Sequence, residues 1–95
     1  IVHNLPAFFR APSPDPQAWV ATYDKLIVSG VANDHTKVVN YTAQPDSAIA
    51  APDWEHFMPV VYALGARHDG ETPYFFNRHY YPGISMTAFA YGLPQ

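Results

Sequence analysis

The chain contains no cysteine. A disulfide framework, a thiolate metal site and a cysteine nucleophile are therefore excluded, and the absence suits a reducing cytoplasm. Positive charge is scarce: Lys and Arg number five against eight Asp and Glu, for a formal net charge of -3. They form no basic cluster, so no nucleic-acid partner is expected. No apolar run approaches the length needed to span a bilayer, and no segment has the form of a signal peptide, so no membrane partner is expected either. The glycine-rich phosphate loop, the nucleophile elbow and the HExxH zinc helix are all missing. There is no internal repeat and no low-complexity segment.

What is present is apolar and aromatic. The 95 residues are 48% hydrophobic and 16% aromatic, which describes one small packed domain rather than a disordered segment. The stretch from Ala51 to Ala66 organises it. Phe57, Val60, Val61 and Leu64 recur at helical spacing and define an apolar face. Asp53 is placed to cap this helix, with His56 at its third position, and Gly65 is placed to stop it. Pro59 has no N–H to give to the carbonyl of Glu55. Either the first turn distorts and presents His56 as a ligand, or Pro59 opens the helix and His56 lies in the preceding loop. The residues alone slightly favour the second.

The rest of the chain follows in order. Ile1 and Val2 read as the end of a buried strand and His3-Asn4 as the loop leaving it. A natural domain rarely begins inside a strand, so the expectation is a fragment of a longer chain or a processed piece. In open α/β sheets functional groups collect at the carboxyl ends of strands, where His3 would sit. Pro6, Pro12, Pro14 and Pro16 exclude a continuous helix or central strand over that segment, which reads as a surface connection with Phe8 and Phe9 pinned inward. Asp15 then caps a helix opening at Pro16, with Trp19, Tyr23, Leu26 and Ile27 buried, Asp24 and Lys25 solvated, and Gly30 ending either the helix or its last regular turn.

Asn33 or Asp34 caps a short helix through Val38, Val39 and Tyr41, with His35 at the surface. Gln44 to Pro52 is a loop. Arg67 to Glu71 is a turn with His68 exposed, Tyr74 to Asn77 a strand and Pro82-Gly83 a turn. Ile84 to Tyr91 reads as a strand buried on both faces. His79 lies among aromatics as a structural or pocket-edge residue. Only His3 and His56 lie in contexts that carry chemistry, and their spacing is no motif.

A resemblance extends this reading. Val2-His3-Asn4-Leu5, then Pro52-x-x-Glu55-His56-Phe57-x-Pro59-x-x-Tyr62-x-Leu64-Gly65-Ala66, and the late Ser85-Met86, resemble the C-terminal part of the class III extradiol ring-cleavage dioxygenases. The match is best to the 4,5-DOPA extradiol dioxygenase-like group and runs over essentially the whole chain. It implies an α/β fold: the C-terminal portion of a catalytic domain with a mixed central sheet flanked by helices, residues 1–95 forming one partial domain whose N-terminal metal-binding half is absent. It implies a divalent metal, Fe(II) for catalysis or Zn(II) as bound, O2 as co-substrate and a small aromatic diol as substrate. His56 would complete the metal site, and His3 would be a further ligand or the acid/base. Two more ligands would come from motifs resembling GHGSP and SAHW, which this sequence lacks.

The chemistry fits those residue types. Imidazole suits Fe(II) and zinc, and a neighbouring neutral histidine can take a catechol's proton and return it as the ring opens. His79, Tyr80 and Tyr81 are candidates to line the aromatic substrate's pocket. Three readings compete: an extradiol dioxygenase segment, first; a zinc-binding module of the same fold without oxygenase activity, second; and an aromatic-rich structural domain with incidental histidines, last.

Overall fold

In the computed structural model, which describes residues 1–92, helices dominate and the strands are short. The central helix α2 spans Ala18–Asn33. Val20, Tyr23, Asp24, Ile27, Gly30 and Val31 are buried along it, a three-and-four spacing that draws one stripe down the helix. Trp19 and Leu26 pack against the core only partly buried. The helix starts at Ala18 after Gln17 and not at Pro16, so Asp15 is no cap. It also runs past Gly30. A Cβ on Gly30 would come within 3.0 Å of Val38 Cγ2, so this glycine permits close packing of the next helix, α3 (His35–Val39), instead of ending its own.

The proline-rich segment differs from expectation. Leu5–Arg10 forms a helix, α1, because Pro6 falls in its first turn, where no N–H is needed, and Asn4 caps it. Phe9 faces solvent at 77% exposure and Phe8 at 39%, so neither is pinned inward. The expected loop from Gln44 to Pro52 contains a short helix, α4, at Ser47–Ala50, and a 3-10 turn at Tyr41–Ala43 precedes it.

Helix α5 spans Trp54–Ala66 without interruption at Pro59, which places His56 in its first turn and not in a preceding loop. Asp53 holds the cap position but makes no side-chain cap bond, and Gly65 lies within the helix. Phe57 and Leu64 are buried, with Val60 and Val61 partly so, as the spacing predicts. Phe57 stacks on Tyr41 with ring centroids 4.1 Å apart and meets Tyr23 at 6.4 Å. The Tyr23 hydroxyl pairs with Ser47 Oγ at 3.2 Å, which ties α2, α4 and α5 at one point.

The C-terminal segment is a bent antiparallel ribbon, not a mixed sheet. Strand β1 (Tyr74–Phe76) pairs with β4 (Ala88–Ala90), and β2 (Tyr80–Tyr81) with β3 (Ile84–Ser85). Between the two ladders, residues 77–79 oppose only residues 86–87. Asn77 takes up the extra length in the left-handed region, at φ 56°, and the Met86 N–H still reaches the His79 carbonyl at 2.8 Å. The Ile84–Tyr91 run is therefore two strands. Its polar Ser85 and Thr87 are buried while Met86 is 47% exposed. His3 bridges antiparallel to Ile84, so the N-terminal segment adds an edge to this ribbon, with Val2 buried beneath it.

Asp24 is fully buried and not solvated. Its Oδ2 accepts from the Tyr80 hydroxyl at 2.9 Å and from Arg78 at 3.2 Å, which pins the ribbon to α2. Desolvation and the nearby carboxylate together raise the Tyr80 pKa, keeping that hydroxyl a donor. A hydrogen bond to a charged acceptor contributes about 1.5–3 kcal/mol. Tyr80→Phe is expected to lower stability by about that amount in urea unfolding, whereas Lys25→Ala, on the exposed side of the same helix turn, is expected to change it by less than about 0.5 kcal/mol. Equal effects of the two would mean that the ribbon is held by something other than Asp24.

Candidate metal centre

His3 and His56 meet in space. Their rings stack with centroids 4.1 Å apart and planes 24° from parallel. Each is delivered by a different constraint. His56 owes its direction to Phe57: successive helix residues point about 100° apart, so burying Phe57 turns His56 out of the core. Its backbone N–H closes the first turn on the Asp53 carbonyl at 3.2 Å. His3 is held through its backbone. Val2 exchanges bonds with Ser85, its carbonyl accepting from the Ser85 N–H and its N–H donating to Ser85 Oγ, each at 3.0 Å. The His3 N–H turns the other way and donates to the Ala50 carbonyl at 3.0 Å.

The pair lines an open cleft of about 460 Å³ with Asn4, Leu5, Pro6, Pro52 and Asp53. His56 is exposed and His3 half-buried. The His3 pKa is lowered, first by burial and then by the neighbouring His56, since two imidazolium rings repel in contact. His3 is thus held toward the neutral form, the form with a free nitrogen lone pair. Such a pair can offer two nitrogen donors to a cation, or one donor and one proton acceptor. Among the described residues no group of three or more His, Asp or Glu is arranged to hold a metal ion. Glu55 is exposed and belongs to no such group.

The other singled-out residues lie elsewhere. His79 is exposed, the Tyr80 hydroxyl is spent on Asp24, and Tyr81 lines a separate cleft with Phe8 and Pro82, so none of them lines the histidine cleft. His68 is exposed as expected. His35 is half-buried instead of free at the surface, and its Nδ1 accepts from Arg67 at 3.2 Å. Sequence reasoning missed Asn4 and Asp24. The signal for Asn4 was present: an Asn just before Leu-Pro is a helix N-cap pattern.

No protein-family model matches the chain. Among curated proteins it is similar to one named 4,5-DOPA dioxygenase extradiol, from Escherichia coli (strain K12), at 28% identity over 78 residues, covering 77% of this chain and 28% of that protein. Among solved structures it resembles the crystal structure of an uncharacterized protein from Escherichia coli K12, with a TM-score of 0.79 and 21% identity, over 94% of this chain and 38% of that one. The structural likeness shows a shared fold. The chain spans 28% of the length of the curated protein it matches, a distant relative named as an extradiol dioxygenase. No helix among the described residues is long and apolar enough to cross a membrane.

The stacked pair generates a pH prediction for metal-free protein. With its folded pKa below the ordinary value of 6.5, His3 contributes stability that is present above that value and lost as pH falls through it toward the folded pKa. Histidine proton NMR is expected to show His3 titrating below 6.5 and moving upward in His56→Asn. A His3 pKa unmoved by that substitution would mean that the rings do not interact in solution.

Proposed function

We propose that this chain carries part of the active site of a metal-dependent extradiol ring-cleavage dioxygenase acting with O2 on a DOPA-like catechol. One observation carries the reading: His3 and His56, separated by more than half the chain, stack ring on ring in an open cleft. The relative named 4,5-DOPA dioxygenase extradiol supports the reaction and the substrate class. On this reading the chain is the C-terminal portion of a class III catalytic domain. The remaining donors would come from a segment corresponding to the rest of that relative's length.

The donor chemistry fits a divalent cation as a partial set. Imidazole nitrogen is a good ligand for Fe(II) and Zn(II), and two are present where a centre of this kind needs more. His56 is the ligand from the start of α5, and His3 lies beside it as ligand or proton carrier. When bound, the cation supplies Lewis acidity that favours the catecholate and leaves open positions for the diol and O2. The unprotonated ring nitrogen of His3 accepts the proton of the substrate hydroxyl and returns it as the ring opens. Cleavage beside the two hydroxyls places both oxygen atoms in a semialdehyde product and needs no external reductant.

The test compares variants in a chain of the relative's full length, loaded with Fe(II) and supplied with DOPA. His56→Ala is expected to lower metal content, because a ligand is lost. His3→Gln is expected to reduce oxygen uptake by on the order of 100-fold while lowering metal content less, as loss of a proton carrier does. Equal metal loss in both would make His3 an ordinary ligand. Stoichiometric zinc with no oxygen uptake from any catechol would identify a zinc-binding module of the same fold instead.

A further inference from the structure

We propose that Asn4 is a positioning residue that fixes the His3 imidazole against His56; its role in metal binding rests on the function proposed above, its geometric role does not. Asn4 is bonded at every polar group it has. Its carboxamide oxygen accepts from the Ala7 N–H at 3.0 Å and starts α1. Its carboxamide nitrogen donates to the Ile49 carbonyl at 2.7 Å, in the last turn of α4. Its backbone N–H donates to the Gly83 carbonyl at 2.8 Å, and its own carbonyl accepts from the Phe8 N–H at 3.1 Å.

These bonds act on His3 because of where they land. The Ile49 carbonyl precedes the Ala50 carbonyl that takes the His3 N–H. Consecutive carbonyls on the segment entering α5 therefore grip consecutive residues at the N-terminus. The backbone of His3, and with it the direction of its Cα–Cβ bond, is referred to the end of α4, which residues 51–53 join to α5, the helix that carries His56. The ribbon closes the clamp from the far side. Gly83 sits at φ +67°, and a Cβ there would lie 2.5 Å from the Asn4 carbonyl oxygen, so only glycine lets the turn approach this closely. The carboxamide is also unambiguous in orientation, since flipping it would set an N–H against an N–H and a carbonyl against a carbonyl.

Asn4→Asp separates the two side-chain tasks. Aspartate caps a helix as well as asparagine, so α1 keeps its start, but it cannot donate to Ile49. It also adds negative charge beside the cleft, which by itself would strengthen cation binding. The readings are the ring-current shifts of the His3 and His56 ring protons in metal-free protein, with His56→Ala defining the unstacked His3 signal, and zinc affinity by competition with a chelator. In folded Asn4→Asp, verified by circular dichroism, the shifts are expected to move toward the unstacked values and zinc affinity to fall about 10- to 100-fold, as for groups that orient ligands. Unchanged shifts overturn the proposal, whatever zinc does. Shifts that move while zinc affinity holds overturn Asn4's part in metal binding. If wild type binds zinc no better than His56→Ala, the ligand reading fails, and the shifts alone decide the positioning role. Should Asn4→Asp fail to fold, Asn4→Ser, which also caps without donating to Ile49, gives the same readings.

Discussion

The stacking of Phe57 on Tyr41 is the contact that the candidate site depends on. Phe57 is 1% exposed and is held by rings from two other segments. Burying such a side chain contributes about 1.5–3 kcal/mol, and a well-placed ring pair about 0.5–1.5 kcal/mol beyond that. The effect reaches past stability. A helix that must aim Phe57 into the core has no freedom to rotate about its axis, and His56 is the preceding residue. Its direction is fixed by a neighbour that does no chemistry.

A second constraint is needed because His3 has no helix to aim it. Its segment runs between the ribbon and α4, and an isolated bridge to Ile84 holds little by itself. The ribbon is held to α2 in turn by the buried Asp24. A carboxylate there is tolerable only because Arg78 and Tyr80 both meet it, since a buried charge without partners is strongly unfavourable. Arg78 is itself 40% exposed, so solvent screens much of its charge, and the neutral Tyr80 hydroxyl gives the shorter bond. Registering the ribbon on α2 registers Ser85, which registers Val2 and so His3.

The sequence made the helices legible where one face was plainly apolar. The α5 face of Phe57, Val60, Val61 and Leu64, the β1 strand and the Pro82-Gly83 turn follow from spacing and turn chemistry. Other features follow from tertiary partners that no local pattern carries. Asp24 looks solvated on its own helix and is buried only because Arg78 and Tyr80 arrive from a distant hairpin. Phe8 and Phe9 look like core residues, yet the first turn of a helix that tolerates Pro6 turns them out. The Ile84–Tyr91 alternation read as one strand because a bulge leaves no mark except a residue able to take positive φ, here Asn77. The meeting of His3 with His56 followed from a resemblance, and spacing could not have produced it.

Two imidazoles stacked at 4.1 Å are a poor arrangement for two charges and a good one for two lone pairs. Protonating both sets like charges in contact, and burial of His3 adds to that cost. The arrangement therefore disfavours the doubly protonated pair and holds His3 toward its neutral form. Neutral imidazole is the form a cation coordinates and the form that accepts a proton. The same arrangement explains why the pair sits at an open cleft and not in the core. Within the core, two unpartnered ring nitrogens would each carry the penalty of a buried polar group. At the cleft, with His56 exposed and His3 only half-buried, that penalty is lighter. Holding two such rings together requires independent constraints on both sides, and Phe57 supplies one while the backbone clamp around His3 supplies the other.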